Sequence, residues 1–150
     1  MILIADALLN KKFNKKIQQK KWYENIYAFV LKTIHERGKL TITVLLIDDK
    51  RMRLLNAEYR GMDKTTDVLS FRYPKDLHEK YDEGELYISI PQAQRQSKRY
   101  GISLVWEVAR LSIHGFLHLY GYDHMKAKER KIMRSLEKKV ILLAKKNRIL

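Results

Sequence analysis

Three histidines in the second half of the chain have the spacing of a metal site. His114 and His118 are four residues apart and His124 follows six residues later, within the run HGFLHLYGYDH. Side chains four residues apart share one face of an α-helix, so two imidazoles there can bind one divalent ion. Gly121 lies where a left-handed glycine ends a helix and turns the chain back. The spacing therefore predicts that all three histidines bind one metal ion.

The type of ligand favours zinc with an open coordination position. Three neutral imidazole nitrogens at about 2.0–2.1 Å leave one tetrahedral position for water, which is typical of catalytic zinc and not of structural zinc. Three histidines also accept nickel or copper. The chain has 5 histidines, and we interpret the other two, His35 and His78, as surface residues. The alternative is that the three are ordinary hydrogen-bonded residues that share a helix face by chance.

The same histidine spacing occurs in metzincin proteases, which makes a zinc protease an alternative. Those enzymes carry their general-base glutamate directly after the first histidine, whereas this chain has Gly115 there. The group that deprotonates water and protonates the leaving amine is then missing. Glu107 lies seven residues before His114 on the same helical stripe. Two roles stay open for it, orienting a ligand histidine or forming a salt bridge.

The composition describes a basic protein without cysteine. Its 31 Lys and Arg residues against 17 Asp and Glu give a net charge of +14, which attracts polyanions such as nucleic acids. A solvated basic surface explains the same charge equally well. The absence of cysteine suits a reducing cytosol. Because the sequence shows neither a secretory leader nor a long apolar run, we expect a cytoplasmic protein without membrane contact.

Hydrophobic periodicity places the first two histidines on a helix from Leu104 to about Leu119, with Ser103 as its N-cap. Further helices are predicted over 21–36, with Gly38 as its C-cap, and over 49–59, 92–99 and 126–147. Strand patterns cover 41–47, 68–71 and 86–90, with a polar loop over 75–83. We predict a single α+β domain over 1–150. It has helices around a small mixed β-sheet of about four strands, and a zinc site on a central helix and the following turn.

The histidine segment and three further motifs resemble the YbeY family of bacterial metal-dependent endoribonucleases. These motifs are NxxYR at 56–60, TDVLSF at 66–71 and GELYIS at 84–89. The resemblance covers most of the chain, in the order expected for the family, and its histidine segment is highly specific. One departure is GEL at 84–86, where family members commonly have Gly-Asp-Ile.

The resemblance implies a single-strand-specific endoribonuclease that acts in small-subunit rRNA 3′-end maturation and in ribosome quality control. Its partners would be single-stranded RNA and the ribosome or a ribosomal subunit, and its cofactor one Zn²⁺ ion. The family's zinc ligands fall on His114, His118 and His124, and its functionally important arginine falls on Arg60. We therefore expect His114 and Arg60 to be catalytic. A guanidinium suits the negative charge that develops on phosphoryl oxygens, although an ion pair of Arg60 near Asp63 is an alternative.

Two other functions stay open beside the nuclease: the zinc protease, and a non-catalytic ribosome-associated RNA-binding protein in which zinc is structural. Thr66 and Asp67 are expected to hold their loop by hydrogen bonds to the backbone rather than to act on substrate. Other candidate phosphate contacts, each of which a solvated position explains as well, are Arg37, Arg72, Arg95 and Arg99. Whether water or the ribose 2′-hydroxyl attacks is undetermined.

Overall fold

The computed structural model describes residues 2–5 by their backbone and residues 14–38, 40–74 and 82–150 in full. His78 and most of the predicted 75–83 loop lie outside the described residues. The elements are β1 (Ile2–Ala5), a short 3-10 helix (Lys15–Gln18), α1 (Lys20–Ile34), β2 (Leu40–Ile47), α2 (Asp49–Arg60), β3 (Val68–Tyr73), β4 (Asp82–Ser89), α3 (Ile90–Tyr100), α4 (Leu104–Leu119) and α5 (Ala127–Lys146). None of the described helices combines the length and apolar composition that a membrane span requires.

The strands form one mixed sheet in the order β1-β2-β4-β3. Strands β1 and β4 both run parallel to β2, and β3 runs antiparallel to β4. Parallel neighbours need a crossover connection, which α1 supplies between β1 and β2. The predicted α+β class with a small mixed sheet is therefore confirmed. Strand β4 begins four residues before the predicted run, since pairing with strands on both sides extends it through the polar segment from Asp82.

Local capping groups set most helix boundaries. Ser103 Oγ accepts a hydrogen bond from Trp106 N at 3.1 Å at the start of α4, as predicted. The prediction for Gly38 was wrong. Helix α1 ends at Ile34, and His35 takes the left-handed conformation with φ of 57°. Histidine adopts this conformation less readily than glycine, which is why the sequence favoured the glycine.

Apolar cores lie on both faces of the sheet. Alternate residues of a strand point to opposite faces, and on β2 the even positions 42, 44 and 46 join a large core with α1, α4 and α5. Ile47 on the other face joins a smaller core with Met52 of α2 and Leu69 of β3. Helix α4, which carries the histidine pair, therefore packs in the large core against one face of the sheet.

Helix α4 packs closely on the sheet, and ten of its 16 residues are buried. His114 and His118 are among the other residues of α4, and both are half-buried. Gly115 faces β4, and a β-carbon at this position would lie 2.1 Å from Leu86 Cδ1. Because real β-carbons do not approach so closely, the glycine is what allows α4 to lie this near to β4.

Replacing Gly115 by Ala should lower the free energy of unfolding by up to about 2 kcal/mol. The cost is that of overpacking a tight core, about 1–3 kcal/mol, less the roughly 1 kcal/mol that alanine gains in helix propensity. Urea denaturation measures the change. If the clash with Leu86 is the cause, the double variant Gly115→Ala/Leu86→Val should lose less than the sum of the single losses. Strictly additive losses would contradict this packing account.

Candidate metal centre

The end of α4 turns the chain back toward its own histidines. Gly121 has φ of +84°, and its N–H donates to His118 O at 2.9 Å, while Tyr122 N donates to Leu117 O at 3.2 Å. These two bonds form a Schellman motif, which calls for a left-handed residue where the glycine stands. The turn brings His124 to the other two histidines, as the sequence predicted.

The three imidazoles converge on one point. One ring nitrogen from each of His114, His118 and His124 lies within 4.8 Å of the others, and the Nε2 atoms of the first two are 3.1 Å apart. Nitrogens that bind one tetrahedral ion at about 2.0–2.1 Å must themselves lie roughly 3.3 Å apart. Among the described residues, no carboxylate or further histidine joins the group. The group could therefore hold a metal ion through three protein ligands.

Glu137 of α5 sets the orientation of His114, a role that the sequence analysis missed. Glu137 Oε1 lies 2.6 Å from His114 Nδ1, and the carboxylate side chain is 19% exposed. A carboxylate accepts a hydrogen bond, so it selects the tautomer with the proton on Nδ1 and leaves the Nε2 lone pair for a metal. In the sequence, Glu137 is one acidic residue on the charged side of an amphipathic helix. Only its position at the edge of the apolar face, where a side chain is half-buried, could have indicated this role.

Glu107 forms a salt bridge with Arg110, and among the described residues no hydrogen bond joins it to the three histidines. It is fully buried, and its two carboxylate oxygens accept hydrogen bonds from Arg110 Nη2 at 2.7 Å and Nε at 3.0 Å. A buried carboxylate needs such a partner because desolvation is costly. Of the two roles left open on sequence, the salt bridge is the one observed. It holds the Arg110 guanidinium beside the histidines.

His118 is suited to bind a metal as a neutral ring. Burial, and then electrostatic interaction with His114, His124 and Arg60, lowers the pKa of His118 to about 4. An imidazole with this pKa is neutral at pH 7, and only the neutral ring offers a lone pair to a metal.

Arg60, the last residue of α2, lines one cleft together with the three histidines. The space is about 280 Å³, near the lower end of ligand pockets, so it suits one phosphodiester group, with the rest of a polymer outside. The alternative ion pair with Asp63 does not form, because Asp63 accepts two hydrogen bonds from Arg53 at 2.7 and 2.8 Å. Within the described part of the chain, Arg60 has no carboxylate partner.

Asn56 and Asp67 hold the loop between α2 and β3 beside this cleft. Asn56 Nδ2 donates to Lys64 O at 2.7 Å. Asp67 Oδ1 accepts from Val68 N at 2.9 Å, and its Oδ2 accepts from Gln96 Nε2 at 3.0 Å. The expectation of hydrogen bonds to the backbone is confirmed for Asp67, whereas Thr66 Oγ1 donates to Asp67 Oδ1 at 3.4 Å. The asparagine of the NxxYR motif thus positions the chain just after Arg60.

The other arginines singled out on sequence do not line the cleft. Arg72 pairs with Asp82, and Arg95 pairs with Asp49. Arg37 and Arg99 are exposed, as is His35. None of the four arginines lines the cleft of the histidines.

Comparison with known proteins gives consistent matches. A family model described as Endoribonuclease YbeY matches residues 7–145. A protein of that name from Desulforamulus reducens is 45% identical over 106 residues, covering 67% of this chain and 69% of the relative. Another from Sulfurihydrogenibium sp. is 40% identical over 135 residues, covering 89% and 88%. The solution structure of TM1509 from Thermotoga maritima matches with a TM-score of 0.59 at 24% identity, covering 99% and 95%, which shows a likeness of fold alone.

Replacing Glu137 by Gln should weaken zinc affinity about tenfold, the lower end of the effect of removing such hydrogen-bond partners. The amide oxygen still accepts from His114 Nδ1 but carries no negative charge. Competition with a chromophoric chelator measures the affinity. Glu129→Gln is the control, because Glu129 lies on the same helix and contacts Lys126 instead. Equal affinities for the two variants would show that Glu137 does not tune the centre.

Proposed function

This chain belongs to the endoribonuclease YbeY family, and we propose that it is a zinc-dependent endoribonuclease that cleaves single-stranded RNA. The observation that carries the proposal is one cleft in which three converging imidazoles face a guanidinium that has no carboxylate partner among the described residues. The first feature suits a metal ion and the second suits a phosphate. A cleft that offers both favours phosphodiester cleavage.

His114, His118 and His124 would hold the ion. When bound, zinc supplies a Lewis acid that activates water or polarises a phosphoryl oxygen. Glu137 keeps the proton of His114 on Nδ1, so that Nε2 stays available as a ligand. The catalytic role that we propose for His114 is this oriented lone pair.

Arg60 would bind the phosphate that is cleaved. Displacement at a phosphodiester builds negative charge on the phosphoryl oxygens, and a planar guanidinium donates two parallel hydrogen bonds to them. The N–H donors of the Arg60 guanidinium are available because Asp63 forms its ion pair with Arg53 instead. The loop that Asn56 holds keeps the end of α2, and so Arg60, at the cleft.

The protease and the purely structural alternatives are less well supported. Gly115 stands where a metzincin has its glutamate, and it is packed so closely on Leu86 that even a methyl group is crowded. A structural zinc site has four protein ligands, whereas the group has three among the described residues. The charge of +14 further favours RNA over protein as the substrate.

We extend the proposal to the cellular role on the strength of family membership. The enzyme would act in the cytoplasm as a single domain over 1–150, on ribosome-associated RNA. Its tasks would be 3′-end maturation of the small-subunit rRNA and ribosome quality control. The basic charge supports binding to such a polyanionic particle.

Replacing Arg60 by Ala should lower kcat on single-stranded RNA by about 10²- to 10³-fold, the effect of removing one donor to a developing oxyanion. Zinc content should stay at one ion per chain. Arg53→Ala serves as the control, since it removes a guanidinium from the same helix that pairs with Asp63. A gel-based cleavage assay measures kcat, and metal analysis measures the zinc content. Similar rates for the two variants would argue against the phosphate-binding role.

Removing the metal with a chelator should abolish RNA cleavage, and added Zn²⁺ should restore it. An unfolded protein offered as substrate under the same conditions should stay intact, because position 115 has no general base. Metal-free His114→Ala protein that cleaves RNA at the full rate would show that the ion is structural. Cleavage of the protein substrate would instead favour the protease.

A further inference from the structure

A second cleft adjoins the histidines on the side of α5. We name it the α4–α5 cleft, and its lining residues are Arg110, His114, His124, Arg130, Met133, Arg134 and Glu137. Arg110, His114 and His124 also line the cleft that contains Arg60. The two clefts therefore adjoin each other and share these three side chains. A ligand longer than one phosphodiester group can occupy both.

The α4–α5 cleft has cationic groups without acidic partners. Glu137 is engaged by His114, and Arg110 is neutralised by the buried Glu107. Arg130 uses its Nε to donate to the His124 carbonyl at 3.1 Å, which leaves its terminal N–H groups available. Arg134 is exposed and forms no hydrogen bond or ion pair within the described part of the chain. The guanidiniums of Arg130 and Arg134 can thus bind an anion.

Some arginines of this protein pair with carboxylates, whereas others, such as Arg51 and Arg148, form no ion pair among the described residues. On other parts of its surface, carboxylates neutralise arginines in the pairs Arg53–Asp63, Arg72–Asp82 and Arg95–Asp49. Fixed cations that share a concave site raise the local concentration of an anion. The α4–α5 cleft therefore suits an anionic group that comes from outside the described residues.

We propose that the α4–α5 cleft binds the phosphate next to the one being cleaved, with Arg134 and Arg130 as its contacts. This inference rests on the proposed function, since it assumes that cleavage takes place at the histidines. Arg134 is one helical turn, about 4.5 Å along the axis, from Glu137, which contacts His114. Met133 is the one apolar residue of the lining, so the cleft suits the charged backbone and not a stacked base.

The test compares Arg134→Ala with Lys139→Ala. Lys139 lies on the same helix but lines a separate groove with Lys32 and Leu142, so its loss removes equal charge elsewhere. The zinc-loaded proteins are titrated with a labelled 2′-O-methyl RNA of about ten nucleotides over a range of salt concentrations. Cleavage kinetics are measured on unmodified RNA of the same sequence and on a dinucleotide, which has a single phosphodiester.

For Arg134→Ala we expect the slope of log K against log salt to fall by about 0.7, the loss of one phosphate contact on a single strand. KM for the longer RNA should rise about fivefold to tenfold, since one charge-assisted contact to a phosphate is lost, while kcat and dinucleotide cleavage stay unchanged. Lys139→Ala should match the parent protein. A salt slope and KM equal to those of Lys139→Ala would overturn the inference.

The binding measurement separates this inference from the proposed function. If the parent protein cleaves no RNA but Arg134→Ala still loses salt slope, the phosphate site stands and the nuclease proposal fails. If the parent protein cleaves RNA and Arg134→Ala is indistinguishable from it in both assays, the nuclease proposal stands and the site is wrong. An equal loss on the dinucleotide would place Arg134 at the cleaved phosphate and would also overturn the inference.

Discussion

At Gly115, helix α4 lies so close to strand β4 that a β-carbon would come within 2.1 Å of Leu86 Cδ1. The other buried residues of the helix fill the large core on the same side, and these contacts together set how the helix lies on the sheet. One face alone then stays accessible, and it carries His114 and His118. The geometry of the metal centre thus follows from packing against the sheet, since close-packed interiors allow little adjustment.

The electrostatics of the centre follow from where the other helices end or pass. Helix α5 brings Glu137 to His114 Nδ1, and the end of α2 brings Arg60 near enough to lower the pKa of His118. The buried Glu107 holds Arg110 beside the same rings. Glu137 and Arg60 come from helices other than α4, so the site depends on the assembled fold and not on the histidine segment alone.

The parts of the site that depend on local geometry could be predicted from sequence. The pair His114 and His118 needs only helical spacing, and the return of His124 needs only the left-handed Gly121. Glu137 could not be predicted, because its contact depends on how α5 packs against α4. The same holds for β4, whose polar start at Asp82 is extended by pairing with its neighbours. The cap of α1 was mispredicted because a histidine took a conformation that glycine adopts more readily.

The central claim is that three imidazoles bind one ion and that no fourth protein group completes its coordination. X-ray absorption spectroscopy of the zinc-loaded protein tests this most directly, because it counts imidazole ligands and measures their distances. The account predicts three imidazole nitrogens at about 2.0–2.1 Å and one further light-atom ligand from solvent. Two or fewer imidazoles, or a fourth ligand that disappears when a protein carboxylate is replaced, would contradict it.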